Sequence, residues 1–293
     1  MAEGYAQPAG GPSSAVPADT RLTGPAAPSD LRTDRAHTAR MYDYYLGGKD
    51  NFPADRETAE QVRKGMPEVP QAAVQNRQFL VRAARYLAAE VGLRQFLDIG
   101  TGIPTSPNLH EIAQGVAPES RIVYADNDPL VLAHARALLT SDPRGRTAYL
   151  DADVREPRRI LTAPELADTL DLTRPVALSL VAIMHFVADE EGAYEIVREL
   201  MAALPAGSSL TLSSLTADFS PVAVNYLAGV YEAQGLTCVA RDRDAFVRFF
   251  DGLEIVDPGP VPTHRWRPES TEPSAPDAVA GGNIVYAAVA RKP

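Results

Sequence analysis

The sequence predicts a three-layer α/β domain around a mostly parallel sheet. Three observations carry the prediction. Helix-period and strand-like segments alternate from residue 71 onward. One strand-like segment, Val176-Ala177-Leu178-Ser179-Leu180-Val181-Ala182-Ile183, is nearly all apolar, as a central strand covered on both faces must be. The chain closes on two strand-like segments, 253–256 and 284–290, joined by Pro-rich chain with no helix between them.

Residues 1–33 precede that pattern. Runs such as Gln7-Pro8-Ala9-Gly10-Gly11-Pro12-Ser13-Ser14 bury too little apolar surface to offset their ordering entropy, which predicts a disordered tail. Residues 34–70 differ. Tyr42, Tyr44, Tyr45 and Phe52 cluster around Gly47-Gly48, and paired glycines interrupt helices. A short helix through Leu46, a turn and a second helix over 55–64 are expected.

In the domain proper, residues 71–293, Leu80, Ala83, Ala84, Leu87 and Val91 fall at helical spacing before Gly92. Residues 95–99 read as a buried strand entering Gly100-Thr101-Gly102. Leu109, Ile112, Ala113 and Val116 mark a helix, and 121–125 a second strand. Asp128-Pro129 is a helix start, with Asp at the cap and Pro at the first helical position. Residues 147–150 form a third strand ending in Asp151-Ala152-Asp153. The apolar strand at 176–183, a helix through Ile196 and Leu200, a strand over 209–213 and helices over 221–234 and near 245–250 complete the order. The Pro-rich stretch after Val256 reads as a long irregular loop.

Composition limits the function. The 293 residues are 45% hydrophobic and 23% charged, with a net charge of −10. That acidic balance argues against nucleic acid or an anionic membrane as the main partner. Cys238 is the sole cysteine, so neither an intramolecular disulfide nor a Cys-based zinc site is expected, and no metal site is expected elsewhere. No run approaches the ~20 apolar residues of a membrane span. No basic start followed by an apolar run marks a secretory signal, so the expected compartment is the cytoplasm. Lysine occurs only at 49, 64 and 292 among 28 basic residues. In so Arg-biased a chain, an isolated Arg is weak evidence for an anion site.

The chemistry concentrates at strand ends. Phe96-Leu97-Asp98-Ile99-Gly100-Thr101-Gly102 runs a strand into a Gly-x-Gly turn, where a ligand can lie against backbone. A dinucleotide site wants a third small residue, and Thr105 stands there. Asp98 repels a pyrophosphate and welcomes a cation. Asp126 ends the second strand, where a carboxylate can hold ribose hydroxyls. Its removal is expected to leave the fold intact. Asp128 is explained by helix capping. Asp153, after the third strand, can accept from an adenine amino group.

Together Phe96–Gly102, Asp126 and Asp153 resemble the class I S-adenosylmethionine-dependent methyltransferases. With Arg40-Met41-Tyr42-Asp43-Tyr44-Tyr45-Leu46-Gly47-Gly48-Lys49-Asp50-Asn51-Phe52, Asn76-Arg77 and Tyr124-Ala125-Asp126-Asn127-Asp128-Pro129, the chain looks like one bacterial S-adenosyl methyltransferase family, formerly a domain of unknown function. The resemblance implies a three-layer Rossmann-like methyltransferase fold. Its sheet would be mostly parallel and seven-stranded, with an antiparallel last strand and an N-terminal helical extension. It implies S-adenosyl-L-methionine as cofactor. Asp98 would sit near the methionine ammonium, with Gly100, Thr101 and Gly102 along the methionine part. Asp126 would hold the ribose, Asn127 would edge the adenine, and Asp153 and Val154 would read its rim. Residues 182–185 would face the methyl group, with His185 as candidate general base.

The expected acceptor is a small molecule, methylated at oxygen or nitrogen. The Asn/Asp-Pro-Pro-aromatic run and the Pro-Cys pair of DNA methylases are absent after the fourth strand. A non-catalytic S-adenosylmethionine-binding protein is the main alternative, and a nicotinamide oxidoreductase a weaker one. The aromatic segment at 34–70 is read as a lid over the cofactor cleft, with Tyr42 and Lys49 as polar contacts. The plain alternative is a helix covering one face of the sheet. His110 and His134 are expected to face solvent, and Cys238 to be buried and structural. His264 and Trp266 either line a substrate mouth or belong to a loop anchored by a buried Trp.

Overall fold

A computed structural model describes Met1 and residues 31–138, 141–268 and 284–293. The predicted tail lies outside the described residues up to residue 30. Its last residues are described, and the Leu31 carbonyl accepts a hydrogen bond from Arg40 Nη2 at 2.6 Å.

Three helices open the fold: α1 (Thr38–Tyr45), α2 (Pro53–Gly65) and α3 (Val69–Ala89). Pro53 starts α2, and Asp55 caps it by accepting from the Phe52 N–H at 2.8 Å. Then follow β1 (Gln95–Ile99), α4 (Leu109–Val116), β2 (Arg121–Asp126), α5 (Pro129–Leu138) and β3 (Arg146–Asp151). The Leu130 N–H donates to Asp128 Oδ1 at 2.9 Å, the capping bond that Asp-Pro promised. Two short helices, α6 (Pro157–Leu161) and α7 (Pro164–Thr169), fill a stretch where the sequence pattern marked nothing. Each is about one turn, too short to display a period. β4 (Ala177–Val181), α8 (Ala193–Ala202), β5 (Ser209–Leu215), α9 (Pro221–Ala233) and α10 (Arg243–Val247) come next. The chain ends in β6 (Glu254–Ile255), β7 (Val261–Pro262) and β8 (Val285–Arg291).

The strand order is β3-β2-β1-β4-β5-β8-β6, with β7 also paired to β8. β1 to β5 are parallel, and β8 inserts antiparallel beside β5. The sheet therefore has eight strands where seven were expected. The extra one is β7, two residues of the Pro-rich connection that pair Val261 with Ala287 and Pro262 with Tyr286. Proline is tolerated there because β7 lies at the sheet edge.

Side-chain alternation splits the core. Leu97, Val123, Leu178 and Leu210 face α8 and the Phe246–Phe250 aromatics. Phe96, Ile122 and Ala177 face α3 and α4. Trp266 is fully buried in that second layer, edge-on to Phe79 at 5.4 Å and to Tyr86 at 5.9 Å. Arg82 holds its loop by donating to the Trp266 and Thr263 carbonyls at 2.8 and 2.7 Å. Of the two readings for this loop, the buried anchor is the one observed.

A third apolar cluster joins Met41 and Tyr45 of α1, Ala59 and Val62 of α2, Ala72 and Ala73 of α3, and Leu227 and Tyr231 of α9. The N-terminal aromatics are thus part of the core. A buried ion pair fastens them. Arg40, 2% exposed, donates to both oxygens of Asp128, itself fully buried, at 2.8 and 2.9 Å. The capping Asp128 therefore has a second role that spacing alone concealed.

Candidate active site

β1 sits where the order reverses, with β2 and β3 on one side and β4 and β5 on the other. Ligands of open α/β sheets bind at the carboxyl ends of strands at such a switch point. A cleft of about 1360 Å³, its open mouth included, lies there.

Asp98, Gly100, Thr101, Gly102, Asp126, Asn127, Asp153, Val154, Tyr42 and His185 all line that one cleft. Lys49 does not. It is exposed beyond the end of α1, outside the cleft lining. The helix ends at Tyr45 and Gly47 turns the chain away with φ +80°, so Lys49 is withdrawn as a polar contact.

Gly100 has φ +73°, and a Cβ there would stand 2.8 Å from the Ile183 side chain. Only glycine lets the turn pass under the residues after β4. The turn is held from below by the Gly100 N–H donating to the Ala125 carbonyl at 2.8 Å. Thr101 Oγ1 donates to the Asp98 carbonyl at 3.1 Å.

Asp98 is 5% exposed. Its carboxylate faces the cleft, with the Thr101 side chain as its hydrogen-bonding neighbour. Burial pushes its pKa up to about 7, against the pull of Arg77 and with the push of Asp126. A buried carboxylate is costly to ionise unless a ligand brings a cation.

Asp126 is differently placed. Its Oδ2 accepts from the Gly102 N–H and its Oδ1 from the Asp128 N–H, both at 2.9 Å. It ties the glycine turn to the start of α5. The expectation that its removal spares the fold is therefore corrected: the buried Asp128 amide and the half-buried Gly102 amide would lose their acceptor. Burial raises its pKa, against those two bonds. At the far end Asn127 Nδ2 donates to Asp153 Oδ2 at 2.8 Å, and Arg155 packs beside Asp153 with its N–H on Oδ1 at 2.9 Å.

Tyr42 reaches the cleft as expected, but its hydroxyl is already engaged. It donates to the Ala73 carbonyl at 3.0 Å and accepts from Asn76 Nδ2 at 2.9 Å. Asn76 Oδ1 accepts from Ser213 Oγ at 2.7 Å, and Ser213 Oγ from the Ala182 N–H at 2.9 Å. This relay stitches α1 and α3 to the ends of β4 and β5. It also supports Ala182, a non-glycine residue at φ +57°, which ends the predicted strand early and turns the next residues over the cleft.

His185 follows in a one-turn 3₁₀ helix, Met184–Phe186. It is buried, with no partner for Nδ1. Burial, and secondarily Arg241, pulls its pKa down to about 3. Arg241 holds this loop by donating to the Met184 and Val187 carbonyls, each at 2.8 Å, and to Asp189 at 2.6 Å.

Spacing missed Asn76 and Arg77 as part of the cleft. Their signal was a polar pair on α3 between Ala72-Ala73 and Phe79-Leu80, where the apolar stripe has no call for it. Arg77 lines the cleft with its Nε buried and unpartnered, and its Nη2 donates to the Thr105 and Pro107 carbonyls. His110 was expected in solvent but is 2% exposed, its Nδ1 2.9 Å from the Tyr124 hydroxyl. Tyr124 points outward from β2, and the pair closes that face. His134 is partly exposed, 3.7 Å from Asp50. Cys238 is buried as expected, with its thiol pushed up to about 12 by burial, and it lines the apolar end of the cleft.

A parallel sheet with an inserted antiparallel β8, and carboxylates at three successive strand ends around a glycine turn, defines an S-adenosylmethionine-dependent methyltransferase. The chain belongs to the S-adenosyl methyltransferase family, whose description matches residues 25–293. It is similar to a DUF574 family protein from Streptomyces avermitilis, at 53% identity over 90% of this chain and 100% of that one, with a TM-score of 0.86. It is also similar to a candidate methyltransferase from Thermobifida fusca, at 40% identity over 90% and 98% of the chains, with a TM-score of 0.83. No curated protein matches the chain. Its cofactor is S-adenosyl-L-methionine. No helix among the described residues is long and apolar enough to cross a membrane.

Proposed function

We propose that the chain methylates a small molecule at oxygen or nitrogen. The observation that carries this is the reach of the cleft. Beyond the glycine turn it continues under α1, α3 and α9, where its walls are core residues such as Val69, Leu215 and Leu227. An acceptor there must be engulfed, which a nucleic acid or a protein surface cannot be. The acidic net charge of −10 agrees.

The residues fit the cofactor. Asp98, buried and facing the cleft, suits its ammonium, and the unpartnered Arg77 Nε suits its carboxylate. Gly100, Thr101 and Gly102 offer backbone along the methionine chain. Asp126 keeps free lone pairs for the ribose, and Asn127, Asp153 and Val154 border the adenine. When bound, the cofactor supplies a methyl group on a sulfonium; the acceptor atom provides the electron pair of the new bond, the old C–S pair stays on sulfur, and the acceptor loses a proton. The protein then has to align the acceptor and exclude water. α1 does the latter by lying over the cleft through His37, Thr38, Ala39, Tyr42 and Tyr45, as a fixed lid. His185 is neutral near pH 7 and a weak base, so its role is to accept a hydrogen bond from the acceptor.

The test is a transfer assay. The protein is incubated with methyl-labelled S-adenosylmethionine and with cellular fractions separated into small molecules, proteins and nucleic acids. Label in the small-molecule fraction supports the reading. Label in protein or nucleic acid alone overturns it.

A further inference from the structure

The cleft continues past the glycine turn into the space beneath α1, α3 and α9. Its two ends also differ in chemistry. Every charged side chain of the lining, Arg77, Asp98, Asp126, Asp153 and Arg155, stands at the strand ends and glycine turn, with His37 beside them. The other end is walled by Val69, Ala72, Leu215, Leu227, Ile284 and Val285, with no lysine, arginine, aspartate or glutamate among the described residues.

Aromatic rings complete that chamber. Phe186 and Tyr231 lie nearly parallel, 17° apart with centroids at 5.8 Å. Tyr45 stands nearby on α1, 6% exposed. Its buried hydroxyl has the Tyr231 side chain as its hydrogen-bonding neighbour, whereas Nδ1 of His185 is buried with no partner. Both residues line the chamber. A buried imidazole nitrogen left unsatisfied is costly in a native core. A ligand hydroxyl can relieve it by donating to Nδ1, and can accept from the Tyr45 hydroxyl in turn.

We infer that this chamber takes an uncharged, planar hydroxyaromatic molecule as the methyl acceptor. The inference rests on the small-molecule reading above. Three arguments select this class. A charged acceptor would leave its charge unpaired among apolar walls. Ring walls favour a ring, through stacked or edge contacts. Among the described residues the chamber offers no carboxylate or lysine to take the acceptor's proton, so as the new C–O bond forms and the C–S pair stays on sulfur the proton passes by way of His185 Nδ1 to water at the cleft mouth. A phenol, with a pKa of ~10, gives up that proton more readily than an aliphatic hydroxyl.

The probe is 2-naphthol, with 6-hydroxy-2-naphthoate as the same ring system bearing a charge. Binding of each is measured by calorimetry on the full chain saturated with S-adenosylhomocysteine, and methylation is followed by mass spectrometry. The expected result is that 2-naphthol binds at least tenfold more tightly than the naphthoate and is methylated on its oxygen. Tyr45→Phe should fold, because the ring and its packing are kept and only a hydroxyl is removed. It should weaken 2-naphthol about fivefold or more while S-adenosylmethionine affinity stays the same. Equal or tighter binding of the naphthoate overturns the assignment, as does parental 2-naphthol affinity in Tyr45→Phe. S-Adenosylmethionine binding without 2-naphthol binding overturns the chamber's assignment alone. Methylation of 2-naphthol with the naphthoate bound equally well leaves the small-molecule reading standing and removes the chamber's selectivity.

Discussion

If Asp98 holds the cofactor's ammonium, its protonation should control cofactor affinity near neutral pH. The side chain is 5% exposed, and its pKa stands at about 7, some three units above the ~3.9 of a free aspartate. Burial is the main cause. A cofactor that carries an ammonium selects the ionised form. With a pKa of about 7, roughly one site in eleven is ionised at pH 6 and about three in four at pH 7.5, so affinity should rise about eightfold across that interval. Binding should release about 0.9 proton at pH 6 and about 0.25 at pH 7.5. Calorimetry in buffers of different ionisation heat reads both quantities. Asp98→Asn should bind more weakly by about 1.5–3 kcal/mol and lose the pH dependence. A flat affinity, or the same slope in Asp98→Asn, would refute Asp98 as the cation's partner. The same shift makes a stability claim for the ligand-free protein. The folded state holds a proton that the unfolded chain has released, so this contribution is fully present below about pH 4 and is lost as pH rises through about 7, by at most about 4 kcal/mol.

Other outcomes follow from the contacts. Arg40→Met leaves Asp128 buried without its bidentate partner and should cost about 3–5 kcal/mol, read as a lower urea midpoint; an unchanged midpoint would mean that the pair does not fasten α1. Asp126→Asn turns an amino group toward one of two backbone amides, so it should lower stability by about 1–3 kcal/mol and cofactor affinity by roughly 10- to 150-fold; a loss of affinity with an unshifted melt would show that the ties to Gly102 and Asp128 are dispensable. Removing residues 2–30 should leave cofactor affinity and the melting temperature unchanged, whereas extending the deletion through residue 54 strips Met41 and Tyr45 from the core and α1 from the cleft. A longer deletion that melts cooperatively and binds with parental affinity would place α1 outside the cofactor site.

Local pattern determined the sheet. A strand buried on both faces must be apolar throughout, and β1, β2 and β4 were legible for that reason. Asp128-Pro129 fixed the start of α5, because capping is a contact between neighbours in sequence. The carboxylates at strand ends were legible for a similar reason: parallel strands place their ends on one edge, so Asp98, Asp126 and Asp153 had to converge. What the chain brings together from far apart was not legible. Arg40 and Asp128 look like an ordinary cation and an ordinary cap until the fold sets them against each other. The run from Tyr42 through Asn76 and Ser213 to Ala182 joins three elements and the turn after β4, and no spacing rule links them. His110 was expected in water because a helix position says nothing about what covers it; Tyr124 covers it. The same holds for the acceptor chamber. Val69, Leu227 and Ile284 each read as ordinary core residues, and only their assembly with Tyr45 and His185 lines an apolar space in which the buried His185 Nδ1 has no partner. Burial and pairing depend on surfaces contributed by distant segments, and tertiary structure alone decides which segments those are.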